Sequence, residues 1–174
     1  MQGIPLNERK RLGALLDDRP QTEVMAMIPQ FSQAETDNFV APPAQIPEAL
    51  GVLMFNMERG VNLPEIQEFL RDCPDIQPFD VILANELDDG CARSGNKNTA
   101  RELAQAFGLN YAWGLEFIEL VNDENAKGFH GNAVFSRWPI RRAGVIRLPE
   151  QYNWYFDRQK RIGGRLAVFA ELDV

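Results

Sequence analysis

Short apolar runs that are typical of buried strands recur along the chain from residue 51 onward. Residues 51–55 (Gly-Val-Leu-Met-Phe) and residues 81–84 (Val-Ile-Leu-Ala) are apolar at every position. Such runs predict strands that are covered on both faces, because a strand with one face in water alternates apolar and polar residues. Further strand candidates are residues 111–120, 133–135, 144–148 and 166–172.

Two segments between these runs predict amphipathic helices. In residues 62–73, apolar side chains recur at the i, i+3, i+4 and i+7 positions from Ile66 onward, which is one face of a helix. Residues 99–107 show the same spacing, and Thr99 with Glu102 forms the pattern of a capping box at the start. Both segments therefore predict helices that pack one face against a sheet.

The order of these elements predicts a mixed α/β or α+β fold, because strand, helix, strand and helix are followed by several strands. Residues 1–50 differ from the rest, since they contain six prolines with short helical patches between them. We interpret them as a partly helical N-terminal extension and not as a separate domain. Two helices cannot cover both faces of the apolar strands, so something else must pack there.

Length and charge limit the classes of partner. The 174 residues suit one domain with a substantial core, and the net charge of -7 argues against nonspecific binding to nucleic acid. Residues 137–165, however, contain eight Arg or Lys, Arg158 among them. This basic stretch is either a solvated rim or a surface that meets a phosphorylated substrate. No apolar run could span a membrane and no secretion signal is evident, so we expect a cytoplasmic protein.

Polar and acidic residues follow two of the apolar runs directly. The first run leads into Asn56 and Glu58, and the second leads into Glu86, Asp88 and Asp89. In open α/β sheets, ligands gather at the carboxyl ends of strands, and carboxylate and amide oxygens suit a hard cation such as Mg²⁺ or Mn²⁺. Two interpretations are open on these residues alone: a divalent metal site, or side chains that only bond loop amides.

Four stretches together resemble the endonuclease/exonuclease/phosphatase family, which has the DNase I-like fold. They are residues 52–56 (Val-Leu-Met-Phe-Asn), 80–88 (Asp-Val-Ile-Leu-Ala-Asn-Glu-Leu-Asp), 131–140 (Gly-Asn-Ala-Val-Phe-Ser-Arg-Trp-Pro-Ile) and 164–172 (Gly-Arg-Leu-Ala-Val-Phe-Ala-Glu-Leu). The resemblance implies half of a four-layer sandwich, with a mixed sheet and helices on one face. It also implies Mg²⁺- or Mn²⁺-dependent hydrolysis of a phosphodiester or phosphomonoester, as in a nuclease or phosphatase.

The same resemblance implies roles for individual residues. Glu86 would hold the catalytic metal, Asn56 would help to orient the phosphate or the metal-side network, and Glu58 would be a second acidic residue on the metal side. Candidate contacts to the substrate phosphate are Arg93, His130 and Asn132. His130 has no obvious acid partner in the sequence, so we do not cast it as a general base, and a structural role for it is the alternative.

The chain departs from this family by lacking two motifs. It contains neither the Gly-Asp-x-Asn motif nor the closing Ser-Asp-His motif, whose residues position and activate the attacking water in family members. We therefore expect residues 51–174 to be the N-terminal half of the family's domain, truncated, with little or no catalysis by this chain alone. The alternative is a non-catalytic interaction module that reuses the fold.

A half-sandwich would leave one apolar sheet face in water. At roughly 25 cal/mol per Å², several hundred Å² of exposed apolar surface forfeits on the order of 10 kcal/mol, which is comparable with the net stability of a whole domain. We therefore expect self-association through this face, most simply as a two-fold homodimer. The sequence leaves the phosphate-ester substrate open among DNA, RNA, inositol phosphates and lipids.

Overall fold

The computed structural model describes residues 1–150, 153–157 and 159–174, so Arg158 of the basic stretch lies outside the described residues. The helices are α1 (Leu6–Leu15), α2 (Gln21–Ala26), α3 (Leu63–Asp72), α4 (Thr99–Phe107) and the short α5 (Trp154–Asp157). The strands are β1 (Ala34–Asp37), β2 (Val52–Arg59), β3 (Val81–Asp89), β4 (Asn110–Glu119), β5 (Phe129–Ser136), β6 (Ile140–Arg147), β7 (Arg161–Gly163) and β8 (Leu166–Leu172). Short 3₁₀ helices span Pro29–Ser32, Pro74–Ile76 and Ala92–Ser94.

Six strands form one mixed sheet at the centre of the molecule. The strand order is β1-β4-β5-β3-β2, and β7 pairs with β4. β2 and β3 run parallel and are connected through α3, whereas the β3–β5, β5–β4 and β4–β1 pairs are antiparallel. This arrangement confirms the predicted mixture of helices with a mixed sheet. Within the described ranges, no helix is long and apolar enough to cross a bilayer.

A second, two-stranded sheet packs against part of the first. It consists of the antiparallel pair β6 and β8, which lies over β4 and β5. Gly114 of β4 permits this close approach, because a Cβ there would lie 2.9 Å from Val145 Cγ2 and 3.1 Å from Val168 Cγ2. The two sheets therefore pack against each other at β4.

The main core lies between the large sheet and its helices. Leu103 and Ala104 of α4 are fully buried with Ile82 of β3 and Phe135 of β5, and Trp113 of β4 belongs to the same cluster. The helical spacing predicted for residues 99–107 is confirmed. The cap differs, however: the Asn98 side chain accepts a hydrogen bond from the Arg101 backbone N–H (2.9 Å), so the helix begins with Asn98 as its cap rather than Thr99.

The predicted cover on both faces of β2 and β3 was wrong at the outer edge of the sheet. Val52, Met54 and Leu83 are 57%, 74% and 40% exposed. The physical reason is the width of the second sheet, since β6 and β8 lie over β4 and β5 and leave the neighbouring pair open. An apolar face of β2 and β3, defined by these three residues, is therefore exposed to solvent.

Residues 1–50 contribute to the large sheet. β1 pairs with β4 along its whole length, and the sequence did not predict this strand because its residues, Ala-Glu-Thr-Asp, carry no apolar run. The buried Arg9 side chain of α1 donates to the backbone oxygens of Asn125 (2.6 Å) and Lys127 (3.0 Å). These contacts fix α1 against the loop that leads into β5.

Candidate functional site

β-Bulges interrupt the two parallel strands where the sequence places its polar residues. The pairing of β2 with β3 shifts register between Asn56 and Arg59, and the pairing of β3 with β5 shifts in the segment that contains Glu86. Glu58 and Glu86 adopt positive φ angles of 46° and 58°. Non-glycine residues seldom adopt this conformation, and bulges and strained residues cluster at functional sites because they re-aim side chains.

A cavity of about 290 Å³ opens at these bulges, where the two sheets meet. Three amides, two carboxylates and one guanidinium form its polar lining: Asn56, Asn85, Asn132, Glu86, Glu116 and Arg165. Leu148 and Leu166 complete the lining. We call this space the acidic cavity. It brings together side chains from β2, β3, β4 and β5 with Arg165, the residue that precedes β8.

Two amides hold the bulged backbone in place. The Asn132 Oδ1 atom accepts a hydrogen bond from the Glu86 backbone N–H (3.1 Å), across the β3–β5 pair. The Asn56 Oδ1 atom accepts one from the Glu58 backbone N–H (2.9 Å). A residue with positive φ needs such support from its surroundings, so these amides stabilise the conformation that places the half-buried Glu86 at the acidic cavity.

Glu116 is the most buried carboxylate of the acidic cavity, with 1% of the residue exposed. Its Oε1 atom accepts a hydrogen bond from Arg165 Nη1 (2.9 Å). Its Oε2 atom has no hydrogen-bond partner among the described residues, and His130 Nε2 lies 3.8 Å from it. A buried carboxylate oxygen without a partner is unfavourable, so this atom is the point at which the site lacks a positive charge or a donor.

Asp88 organises a buried hydrogen-bond network behind the acidic cavity. Its carboxylate is fully buried and accepts from Arg93 Nε (2.7 Å), from Arg93 Nη2 (2.8 Å) and from Ser94 Oγ (3.2 Å). His130 Nδ1 lies 2.9 Å from the same carboxylate. Burial favours the neutral acid, but the bonds from Arg93 and His130 outweigh it, so the pKa of Asp88 is lowered.

The Arg93 guanidinium contacts two carboxylates of this network, those of Asp88 and Glu119. Besides Asp88, it contacts Glu119 Oε1 through Nη2 at 3.3 Å, and Arg161 approaches the same carboxylate at 3.9 Å. Arg93 and Glu119 line a second cavity of about 400 Å³, which is separate from the acidic cavity. Burial disfavours the charge on Arg93, but the carboxylates outweigh this effect and raise its pKa.

The structure brings together some of the predicted site residues. Asn56, Glu86 and Asn132 line one cavity. Glu58 is exposed beside it, and Arg93 and His130 lie in the network around Asp88. His130 was expected before a strand without an acid partner; it lies within β5, 4% exposed, and Asp88 is its partner.

Sequence reasoning missed Glu116 and Arg165 as residues of the site. One signal was present for Glu116, because it is one of two charged residues, with Glu119, in a largely apolar strand candidate, and β4 is buried along its whole length. A carboxylate in such a strand requires a partner. The partner, Arg165, lies 49 residues further along the chain, so no local pattern could connect the two.

The acidic cavity offers a partial ligand set for a cation. Within the described ranges, no group of three or more His, Cys, Asp or Glu side chains is positioned to hold a metal ion. Glu86 and Glu116 with the neighbouring amides nevertheless suit Mg²⁺, which proteins commonly bind through one or two carboxylates while waters and substrate phosphates complete the octahedron. The unpartnered Glu116 Oε2 atom is the feature that fits such an ion.

Comparison with known proteins supports the fold. No protein-family model matches the chain, and no curated protein matches it. The fold is similar to the crystal structure of an endonuclease/exonuclease/phosphatase from Beutenbergia cavernae DSM 12333, with a TM-score of 0.50 and 21% sequence identity. The likeness covers 71% of this chain and 34% of that chain, so this chain spans about a third of the length of its structural neighbour. The fold implied by the four sequence stretches is thus supported by an independent likeness.

Proposed function

We propose that this chain provides the cation- and phosphate-binding part of a metal-dependent phosphoester hydrolase. The observation that carries the proposal is the acidic cavity, which Glu86, Glu116 and Arg165 line together, with one buried oxygen of Glu116 left without a hydrogen-bond partner among the described residues. The likeness to an endonuclease/exonuclease/phosphatase supports the same conclusion at the level of fold. Hydrolysis of a phosphodiester or a phosphomonoester fits this donor set.

Carboxylates and a guanidinium in one small cavity suit a cation and a phosphate together. When bound, Mg²⁺ or Mn²⁺ stabilises negative charge on a phosphate oxygen. Glu86 and Glu116 would hold it through their carboxylates. A guanidinium has five N–H donors, and the contact with Glu116 uses one of those of Arg165, so others can bind phosphate oxygens.

The remaining polar groups would position the substrate and its water. Asn56 and Asn132 use their Oδ1 atoms on the bulged backbone, which leaves their amide N–H₂ groups to donate to phosphate oxygens. The Glu116 Oε2 atom is buried and has no hydrogen-bond partner among the described residues. Asp88 orients His130 with Nε2 3.8 Å from that oxygen, so His130 is a positioning residue in this scheme.

Calorimetric titration with Mn²⁺ tests the proposal directly. We expect the chain to bind the ion, Glu86→Ala to lose most of that binding, and Glu68→Ala, which removes an exposed carboxylate of α3, to retain it. Equal binding by the two variants would refute the site. A parallel assay with bis(p-nitrophenyl) phosphate should show little or no turnover; rapid turnover would mean that the chain holds the full catalytic set, with Glu116 and His130 the first residues to examine.

An interaction module is the second candidate function, and the exposed apolar face of β2 and β3 favours it. Val52, Met54 and Leu83 form a contiguous surface on paired strands, and such a surface suits a second copy of the chain in a two-fold dimer. Sedimentation should then show dimers at micromolar concentration, and Met54→Glu should return the chain to monomers. A wild-type monomer under these conditions would contradict self-association through this face.

A further inference from the structure

A groove larger than either cavity lies beside the acidic cavity. It has a volume of about 610 Å³ and runs between α2 with the turn that follows it and the end of β6. Met25, Ile28 and Phe31 form one wall, and Leu148 and Pro149 form the other. This volume is within the range of small-molecule sites, roughly 300–1,000 Å³, and mainly apolar walls are typical of them. We call it the apolar groove.

Gln21, which lines the apolar groove, has one buried polar atom without a hydrogen-bond partner among the described residues. Gln21 is 2% exposed, and its Nε2 atom donates to Glu150 Oε1 at 2.6 Å. Its Oε1 atom has no hydrogen-bond partner among the described residues. The reverse orientation of the amide would set this oxygen against the Glu150 carboxylate, so the contact with Glu150 fixes Oε1 as the unpartnered atom. A buried acceptor of this kind is satisfied when a ligand supplies a donor.

The apolar groove and the acidic cavity share two lining residues, Leu148 and Arg165. Arg147 holds the walls of the groove at this junction, because its guanidinium donates to the backbone oxygens of Phe31 (2.7 Å) and Gly164 (3.0 Å). Burial lowers the pKa of Arg147 to about 10. Arg147 and Arg165 therefore place two guanidinium groups at the junction between the two spaces, and Gln21, which lines the groove but not the acidic cavity, carries the unpartnered acceptor.

We propose that the apolar groove binds the alcohol part of the substrate, and that the substrate is a phosphate ester of an apolar alcohol that carries a hydrogen-bond donor. The phosphate would lie beside Arg165 in the acidic cavity, the apolar body along Met25 and Phe31, and the donor at Gln21 Oε1. A sugar or inositol phosphate fits less well, because its many hydroxyls would face walls that offer few polar partners. This assignment rests on the proposed function of the acidic cavity.

Fluorescence titration of the whole chain with three naphthalene probes, in the presence of Mg²⁺, tests the assignment. The probes are 6-hydroxy-2-naphthyl phosphate, 2-naphthyl phosphate and 2,6-dihydroxynaphthalene. We expect the distal hydroxyl to tighten binding of the phosphate about tenfold through Gln21 Oε1. Gln21→Met should abolish this preference, whereas Gln30→Met, which changes a glutamine outside the groove, should retain it. An unchanged preference in Gln21→Met would overturn the proposal.

A variant that fills the groove keeps the test independent of Gln21. Ala26 is exposed on the groove wall, so Ala26→Trp should block binding of both naphthyl phosphates without disturbing the core. Met27→Trp places the same side chain at the neighbouring exposed residue, which does not line the groove, and should leave binding intact. Equal binding by these two variants would likewise overturn the assignment.

The outcomes separate this inference from the proposed function. If Mn²⁺ binding depends on Glu86 but the naphthyl phosphates bind no more tightly than inorganic phosphate, the hydrolase proposal stands and the groove assignment fails. If 2,6-dihydroxynaphthalene binds in a Gln21-dependent manner and the phosphate adds no affinity, the groove is a separate site and the assignment is overturned. Tighter binding of the phosphorylated probe that Glu86→Ala weakens would support both.

Discussion

Removing the negative charge of Asp88 should destabilise the fold strongly. Asp88 is fully buried in β3 and receives two hydrogen bonds from Arg93, at 2.7 and 2.8 Å, together with contacts from Ser94 and His130. Asp88→Asn keeps the shape of the side chain but replaces a carboxylate oxygen with an amide group. The amide would point N–H donors at groups that are themselves donors, and the Arg93 cation would lose its principal partner.

The magnitude follows from the burial of the partners. Breaking a buried ion pair by removing one member costs roughly 3–5 kcal/mol, because the other charge stays buried without compensation. The Arg93 side chain is 33% exposed and keeps a contact with Glu119, so water and Glu119 recover part of this loss. We therefore expect a loss of about 3 kcal/mol in the free energy of unfolding, a large part of the 5–15 kcal/mol typical of a domain.

Urea unfolding at neutral pH, followed by circular dichroism, measures this loss. Asp75→Asn is the matched control, because Asp75 is exposed in a 3₁₀ turn, and its effect should stay within about 0.5 kcal/mol. A loss in Asp88→Asn as small as that of the control would refute the reasoning. So would a double-mutant cycle with Arg93→Met that showed no coupling, since the argument requires the two residues to act as a pair.

Three further predictions concern other parts of the molecule. Gly114→Ala should cost about 1–3 kcal/mol in urea unfolding, because its Cβ would meet the second sheet at 2.9 Å, whereas Gly144→Ala, with open space around it, should be nearly neutral. Burial raises the pKa of the Cys91 thiol, so Cys73→Ser should remove the fast phase of thiol labelling in the native protein and leave Cys91 unreactive. Glu116→Gln should raise the melting temperature of the protein without added metal and abolish any rise caused by Mn²⁺, as differential scanning fluorimetry would show.

Sequence periodicity predicted the elements whose signals are local. The strand at residues 166–172 and the helix at residues 99–107 are present with those bounds, because an apolar run or an i, i+3, i+4 face determines each one. β1 was missed because its pairing with β4, and not its composition, makes it a strand. The apolar run did not predict the exposure of Met54, although the half-sandwich interpretation expected one apolar sheet face in water; which strands lie open depends on the width of the second sheet, which is a property of the tertiary structure.

The residues of the candidate site also fall into two groups: those that a local sequence pattern indicates and those that only the tertiary structure brings together. Asn56 and Glu86 could be selected because they directly follow apolar runs and match a family pattern, and they line one cavity. Glu116 had a local signal that was not used, but the pairing of Glu116 with Arg165 and that of His130 with Asp88 could not be predicted, because these pairs are 49 and 42 positions apart along the chain. A pattern along the chain indicates which polar residues follow the end of a strand. It does not indicate which charged residues come into contact when the sheets pack together.

The burial of Glu116 links the stability of the fold to the proposed function. One of its oxygens is bonded to Arg165, and the other lacks a hydrogen-bond partner among the described residues, so desolvation of this carboxylate is only partly offset. Proteins tolerate such losses of stability at functional sites.

A cation bound by Glu116 in the acidic cavity would offset the cost of burying this carboxylate. A ligand at a hundred times its Kd stabilises the native state by about 2.7 kcal/mol. Glu116→Gln should therefore raise the stability of the metal-free protein. The same change should abolish the stabilisation that Mn²⁺ gives to the wild-type protein. A carboxylate with a purely structural role would lower stability when it is replaced, and metal would have no effect on either protein.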